Sequence, residues 1–374
     1  MTEWIGLHIY YASNANPLLL QCVGPLVARL REAGLIRRWF FIRYWVEGPH
    51  VRLRLLPSTG ADAETVRSTA LEELRAYLKR RPALYDAASA DTGDLYHRMF
   101  VAEYGEEAWQ EKYGDTGAMP FRPNNSVWEE RYEPEYDRYG GPAGIELAER
   151  NFEASSDLVL RLLATTNTHV RTVLLGTSAQ MTATMCYAFL GRDDRVVRFL
   201  ENYRAFWENT YQEQSDAFHD RFDRSFEQVA ELLRQHLSRL GGAAADPDTA
   251  RLTSIERGWL QHSVEVRDEV VRLADAGQLV FRRGGPDAEP TIVTDHETAF
   301  TVLLSSYVHM TNNRLGASIL DEIYLSYLMG RALEGAADPE AGPAGPEAGP
   351  ADPGSRPPEE SAARDDEVAA AAVA

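Results

Sequence analysis

Three short segments of this chain carry residue types that could do acid–base or anion chemistry. The first is "EGPHVRLRLLP", residues 47 to 57. Strand side chains alternate faces with period two, so His50, Arg52 and Arg54 share one face and Val51, Leu53 and Leu55 the other. The second is "YEPEYDRYGG", with Glu135 and Arg138 three apart before a Gly-Gly turn. The third is "SSYVHMTNNRLG", which sets His309 among Ser306, Asn312, Asn313 and Arg314. Guanidinium groups bind carboxylates and phosphates bidentately, and an imidazole titrates near neutral pH. The types together describe an anion site with a nearby base. Each segment also has a structural reading: a solvated strand face, a local salt bridge, and a core histidine with its hydrogen bonds met. Spacing alone does not bring the three together.

The elements that would position them follow from pattern. "WIGLHIYYA" reads as a strand. Asn16-Pro17 reads as an N-cap with proline at the first helical position, and Leu19, Val23, Leu26 and Leu30 continue at helical spacing to Gly34. "RRWFFIRYW" and "HVRLRLLP" are strands joined by the tight turn "VEGP", and 62–81 is helical. The opening is a β-α-β-β-α unit, the start of an α+β sandwich. Residues 82–143 read as a long, less regular excursion with short elements, 83–130 being its irregular part. Helical pattern then covers roughly 145–164, 168–190, 194–240, 252–276 and 296–333, with a short hairpin in "QLVFRRGGPDAEPTIV". The fold class is α+β: an N-terminal sheet unit, a mainly helical half within 1–333, and a tail over 334–374. The tail is Ala, Gly, Pro and Glu; it has too little apolar surface to offset chain entropy and is expected to be disordered.

Composition narrows the function classes. Of the 374 residues, 44% are hydrophobic and 25% charged, as in soluble globular chains. The formal charge is −19. About −8 of it falls in the tail, where ten acidic residues from Glu334 onward meet two basic ones. The remaining −11 argues against general nucleic-acid binding, which needs a basic surface. Cys22 and Cys186 are the two cysteines, without zinc-like spacing, so no disulfide framework, metal or cofactor is expected. No secretory signal or membrane-length apolar run is read, and a cytoplasmic protein is expected. Two Asp-Thr-Gly triplets, at Asp91 and Asp115, lie in polar loop sequence without leading strands and read as turns rather than a protease dyad. The glycosylation acceptor pattern at Asn124 is discounted without a secretory signal.

"WFFIRYWVEGPHVRLRL", "YEPEYDRYGGP" followed by "AERNFEASS", and "VHMTNNRLG" followed by "DEIYLSYL" occur in an order that resembles a known family. It is the C-terminal elimination domain of class I lanthipeptide dehydratases, also found as stand-alone thiopeptide-type bacteriocin biosynthesis proteins. The resemblance spans about residues 1 to 333; the 83–130 stretch looks longer than in the fused enzymes, and the tail has no counterpart. It implies a two-component pathway. A separate enzyme esterifies Ser or Thr of a leader-bearing precursor peptide with glutamate from glutamyl-tRNA; the elimination domain then expels glutamate, leaving dehydroalanine or dehydrobutyrine. The family's elimination residues match Arg52, Arg54, Glu135, Arg138 and His309 here, with His50, Ser306, Asn313 and Arg314 as neighbours expected to bind substrate. Two alternatives stay open: a thiopeptide pyridine synthase, which joins two dehydroalanines in a formal [4+2] aza-cycloaddition with leader release, and a non-catalytic peptide-binding subunit.

Overall fold

The computed structural model describes residues 3–85, 93–210, 219–246, 251–282 and 289–334. The expected β-α-β-β-α opening is present. Strand β1 (Ile5–Tyr10) leads into helix α1, built of Asn16–Leu18, a π-helical stretch Leu19–Val23, and Gly24–Glu32. Strands β2 (Ile36–Tyr44) and β3 (His50–Pro57) form the hairpin, and helix α2 (Ala63–Arg80) follows. The N-cap position of α1 is Ala15, one residue before the expected Asn16, and the Asn14 side chain accepts from the Asn16 N–H at 2.8 Å. Asn16 itself accepts from Arg43 at 2.6 Å.

The sheet is antiparallel with order β2-β3-β1-β4. Its fourth strand, β4 (Ser126–Glu129), comes from the excursion expected to be irregular. Only four residues long, it lacks the length from which alternation is read. The excursion also holds helices α3 (Gly93–Tyr104) and α4 (Glu106–Tyr113). These close a satellite apolar cluster of Val46, Phe100, Trp109, Tyr113 and Met119 over the β2–β3 turn. That turn needs positive φ at Glu47 (64°) and Gly48 (113°). Glu47 is held there by Arg122, Lys112 and Tyr113, which offsets the strain of a non-glycine residue.

Helices α5 (Tyr136–Tyr139), α6 (Gly141–Thr165) and α7 (Arg171–Leu190) begin the helical half. The pattern read as helical over 194–240 is helical in α8 (Asp193–Thr210) and α9 (His219–Ala245); residues 211–218 between them lie outside those described. After α10 (Ser254–Asp275) comes the expected hairpin, β5 (Val280–Phe281) with β6 (Thr291–Ile292). The pattern over 296–333 divides into α11 (His296–Leu315) and α12 (Ile319–Glu334). Gly316 at φ 91° ends α11 with a left-handed cap, which periodicity does not register because the apolar stripe resumes beyond it. The 334–374 tail expectation lies outside the described residues, apart from Glu334. Contrary to expectation, α7 is long and apolar enough to cross a membrane by length and composition; 72% of its most apolar window is buried inside the fold, so it is the central core helix.

Both sheet faces are covered. Val51, Leu53, Leu55, Leu7 and Ile9 form one interior face, each at most 1% exposed. The opposite face carries His8, His50 and Arg54, which are also buried, so it is no solvated surface. Helix α6 closes the free edge of β2: Ser156 accepts from the Phe41 N–H at 3.2 Å, and Asp157 accepts from the Trp39 indole at 3.1 Å.

Candidate active site

The register sets the first cluster. His8 lies opposite Arg52, Gly6 opposite Arg54, and Tyr10 and Tyr44 flank His50, so all share the polar face. Arg52 donates from Nε to His50 Nε2 at 3.2 Å, and its guanidinium lies 3.3 Å from the Tyr44 ring centroid. Arg54 donates from Nη2 to His8 Nε2 at 3.0 Å, and its guanidinium is 5.6 Å from the Tyr132 ring. Arginine only donates, so both Nε2 atoms must be unprotonated. His50 therefore carries its proton on Nδ1, which donates to the Gly48 carbonyl at 2.8 Å. Burial, followed by the Arg54 and Arg52 charges, pushes His8 down to about 2. Burial and the same two arginines push His50 down to about 3, against the pull of its Gly48 bond. Two neutral imidazoles thus orient two guanidinium groups without neutralising them.

Neither cation has a carboxylate within salt-bridge reach among the described residues, and the pull of Glu130 and Tyr132 on Arg54 is outweighed by burial. Burial, then the neighbouring Arg52 charge, lowers Arg54 to about 10, and its Nε has no partner among the described residues. Gly6 makes room for it: a Cβ there would sit 2.1 Å from the Glu130 carbonyl oxygen and 3.0 Å from Arg54 Nη1.

The second cluster gathers on α5 and α11. The single-turn α5 is cut off by Gly140 (φ 87°) and Gly141 (φ 81°), so Arg138 points across to α11 rather than along a longer helix. Arg138 donates from Nε to Ser306 Oγ at 3.2 Å and pairs with Glu135 at 3.3 Å. Ser306, His309 and Asn313 lie at i, i+3 and i+7, on one face of α11. His309 Nδ1 is 3.1 and 3.3 Å from the two Glu322 carboxylate oxygens, and the Tyr203 hydroxyl also donates to Glu322. The Trp207 ring packs against the imidazole at 4.9 Å. A carboxylate accepting from Nδ1–H leaves His309 Nε2 as the proton-accepting atom.

Asn313 and Arg314 stand at the junction of the two clusters. Asn313 accepts from the Arg43 N–H at 3.0 Å and donates to the Arg43 carbonyl at 2.9 Å, pairing α11 with β2 as a strand would. Arg43 in turn donates to the Arg314 carbonyl at 3.0 Å. Arg314 is fully buried, donating to Ser156 Oγ and the Met310 carbonyl and stacking 4.8 Å from Phe152. Burial lowers it to about 9. Both side chains spend these bonds on the protein itself.

The structure therefore assembles His50, Arg52 and Arg54 on the sheet, and Glu135, Arg138, Ser306 and His309 on the helices. A run of ring contacts through the core leads from one group to the other. Tyr132, Phe40, Phe152, Tyr139 and Tyr307 follow one another at centroid distances of 5.7, 5.4, 5.3 and 6.2 Å. Residues not singled out from sequence are Gly6, His8, Tyr44, Tyr132, Tyr203, Trp207 and Glu322. Glu322 was visible as the second residue of "DEIYLSYL"; His8 was visible only as an alternate position of the first strand.

Among the described residues, Arg43, Arg52, Arg54 and Arg314 have no carboxylate within 4.0 Å, whereas Arg31, Arg38, Arg67 and Arg122 are each paired. Of these four, Arg52 and Arg54 share the polar sheet face, whereas Arg43 lies opposite Val51 and projects to the other face. Desolvating unpaired charge costs several kcal/mol, and such sites are where anionic ligands are met.

The sequence profile described as "Lantibiotic biosynthesis dehydratase C-term" matches residues 4–333. The chain belongs to the lantibiotic dehydratase C-terminal family. No curated protein matches it. Among solved structures, the pyridine synthase TbtD from thiomuracin biosynthesis superposes with TM-score 0.65 at 18% identity, covering 88% of this chain and 97% of that one. TsrL superposes with TM-score 0.61 at 20% identity, covering 90% and 95%. The tRNA-dependent lantibiotic dehydratase MibB from Microbispora sp. 107891 superposes with TM-score 0.50 at 20% identity. That match covers 89% of this chain and 28% of MibB. These likenesses show a fold shared with a pyridine synthase of thiomuracin biosynthesis, with TsrL, and with part of a tRNA-dependent lantibiotic dehydratase.

Proposed function

We propose that this member of the lantibiotic dehydratase C-terminal family removes glutamate from glutamylated Ser or Thr of a precursor peptide, giving dehydroalanine or dehydrobutyrine. The observation that carries the reading is the pair Arg52 and Arg54, half-buried and buried on one sheet face, each held by a neutral histidine and neither with a carboxylate in salt-bridge reach among the described residues. A departing carboxylate supplies the missing negative charge. His309 Nε2 takes the Cα proton, the C–H electron pair becomes the new C=C bond, and the Cβ–O bond breaks with its electrons leaving on the glutamate carboxylate. Glu322 holds the Nδ1–H tautomer and stabilises the imidazolium that forms. Arg138, set by Glu135 and by Ser306 one turn before His309, stabilises charge on the enolate oxygen. Arg52 and Arg54 receive the leaving carboxylate, and Asn313 and Arg314 position the two halves rather than touching substrate. The substrate comes from a separate glutamyl-tRNA-dependent enzyme, and no cofactor is needed.

Incubation with a glutamylated precursor peptide tests this directly. Loss of glutamate by mass, abolished by His309→Ala, is the expected result; an unreacted peptide refutes it. The second reading is pyridine synthesis, favoured by the near-complete overlap of this fold with a free-standing pyridine synthase. It predicts cyclisation of a dehydrated peptide with leader release, and that activity would be indifferent to Arg52 and Arg54.

A further inference from the structure

A groove of about 710 Å³ opens between α2 and the free edge of β4, lined in part by Arg75, Leu78, Lys79, Val127 and Glu129. The hydrogen bonding of β4 fixes what this edge presents. Glu130 N–H donates to the Gly6 carbonyl at 3.0 Å, so the Gly6/Glu130 pair is the bonded type. In an antiparallel ladder bonded and non-bonded pairs alternate. The bonded pairs are then His8/Trp128 and Tyr10/Ser126, and the non-bonded pairs Leu7/Glu129 and Ile9/Val127. Val127 and Glu129 therefore aim their backbone N–H and C=O groups away from β1, into the groove. The charge along its helical wall is positive: Arg75 and Lys79 are exposed and, among the described residues, form no ion pair. The one acidic liner, Glu129, is already paired with Arg67 at 2.9 Å.

We infer that this edge captures an extended, acidic segment of the peptide substrate by strand addition, outside the residues being modified. The substrate's being a peptide rests on the proposed function; the geometry of the edge does not. Backbone pairing at Val127 and Glu129 supplies binding without sequence preference, and Arg75 and Lys79 select acidic side chains on the helix side of the added strand.

The test uses the full chain and a fluorescein-labelled ten-residue peptide alternating glutamate and valine, with a lysine–valine peptide as control. Val127→Pro removes an outward N–H while leaving the β1 ladder intact, since that N–H is not used there. The double variant Arg75→Glu, Lys79→Glu changes only exposed side chains, so folding is not at stake. The expected result is that the acidic probe binds and slows hydrogen exchange across 126–130. Each variant should weaken binding at least about tenfold, equivalent to about 1.4 kcal/mol, and the lysine probe should fail to bind. No binding at millimolar probe, equal binding by the surface variant, or protection confined to another face would overturn the proposal. So would a dimer of the full chain that Val127→Pro disperses, which would assign the edge to a second copy. The probe carries no glutamyl ester, so its failure leaves glutamate elimination standing, and failed elimination leaves this binding result intact.

Discussion

Replacing Arg54 by methionine should stabilise the fold and abolish glutamate elimination in the same variant. Arg54 is 5% exposed, and burial lowers it from 12.5 to about 10. At 1.36 kcal/mol per pH unit, that difference is a penalty of about 3 kcal/mol on the charged form. Below pH 10 the guanidinium is protonated in both folded and unfolded chains, so the penalty is fully present at neutral pH. It fades only as pH rises from about 10 toward the unfolded value. Methionine fills a similar volume without charge, but leaves His8 Nε2 without its donor, which costs roughly 1–2 kcal/mol. The net gain is about 1–2 kcal/mol, or roughly 2–4 °C in Tm for a chain of this size. Elimination, followed by mass on a glutamylated peptide, should fall about 10²–10³-fold, the cost of removing one preorganised donor from a developing anion. Circular dichroism melts and the mass assay on one preparation decide it. A variant that melts several degrees lower yet retains activity would show that Arg54 serves the core, and the anion-site reasoning would be refuted.

The remaining predictions concern the groups around these charges. Glu322→Gln should reduce elimination more than tenfold with little change in Tm, because an amide can donate to His309 and favour the wrong tautomer; an unchanged rate would remove Glu322 from the site. His8 and His50 have folded values near 2 and 3 against 6.5 when unfolded, so the unfolded chain takes up protons first as pH falls. Their contribution is intact above pH 6.5 and is lost progressively toward pH 3, at roughly 2–3 kcal/mol per histidine by pH 4.5. Urea melts across pH 4–7 should show that slope, and His8→Gln with His50→Gln should flatten it. Gly6→Ala must push the Glu130 backbone away from its Cβ, costing about 1–3 kcal/mol and misplacing Arg54; a neutral melt would mean that the approach is looser than 2.1 Å.

Much of the architecture could be read locally. The β-α-β-β-α opening, the 280–292 hairpin and most helices follow from period and punctuation, which are properties of neighbours in the chain. The failures also have local causes. Strand β4 is four residues long and is held by its pairing with β1, which no window of the excursion contains. The break at Gly316 sits inside a continuous apolar stripe, so periodicity ran through it.

For the site, residue types and order determined which groups could do chemistry: arginines at alternate strand positions, a Glu–Arg pair before a glycine turn, and a histidine on the last helical pattern. Packing decided their condition. Whether the Arg52–Arg54 face was solvated or buried depended on residues 121 to 132 and α6 covering it, more than sixty residues downstream. That His8 and His50 are neutral acceptors follows from desolvation and from register, neither of which is encoded at their own positions. Asn313 and Arg314 were expected to bind substrate; the fold gives Asn313 two bonds to Arg43, and Arg314 bonds to Ser156 and Met310 with its Nη2 left without a partner among the described residues. Charge and hydrogen-bonding capacity are local and survive in the sequence; dielectric environment and partner identity are set by the folded chain as a whole.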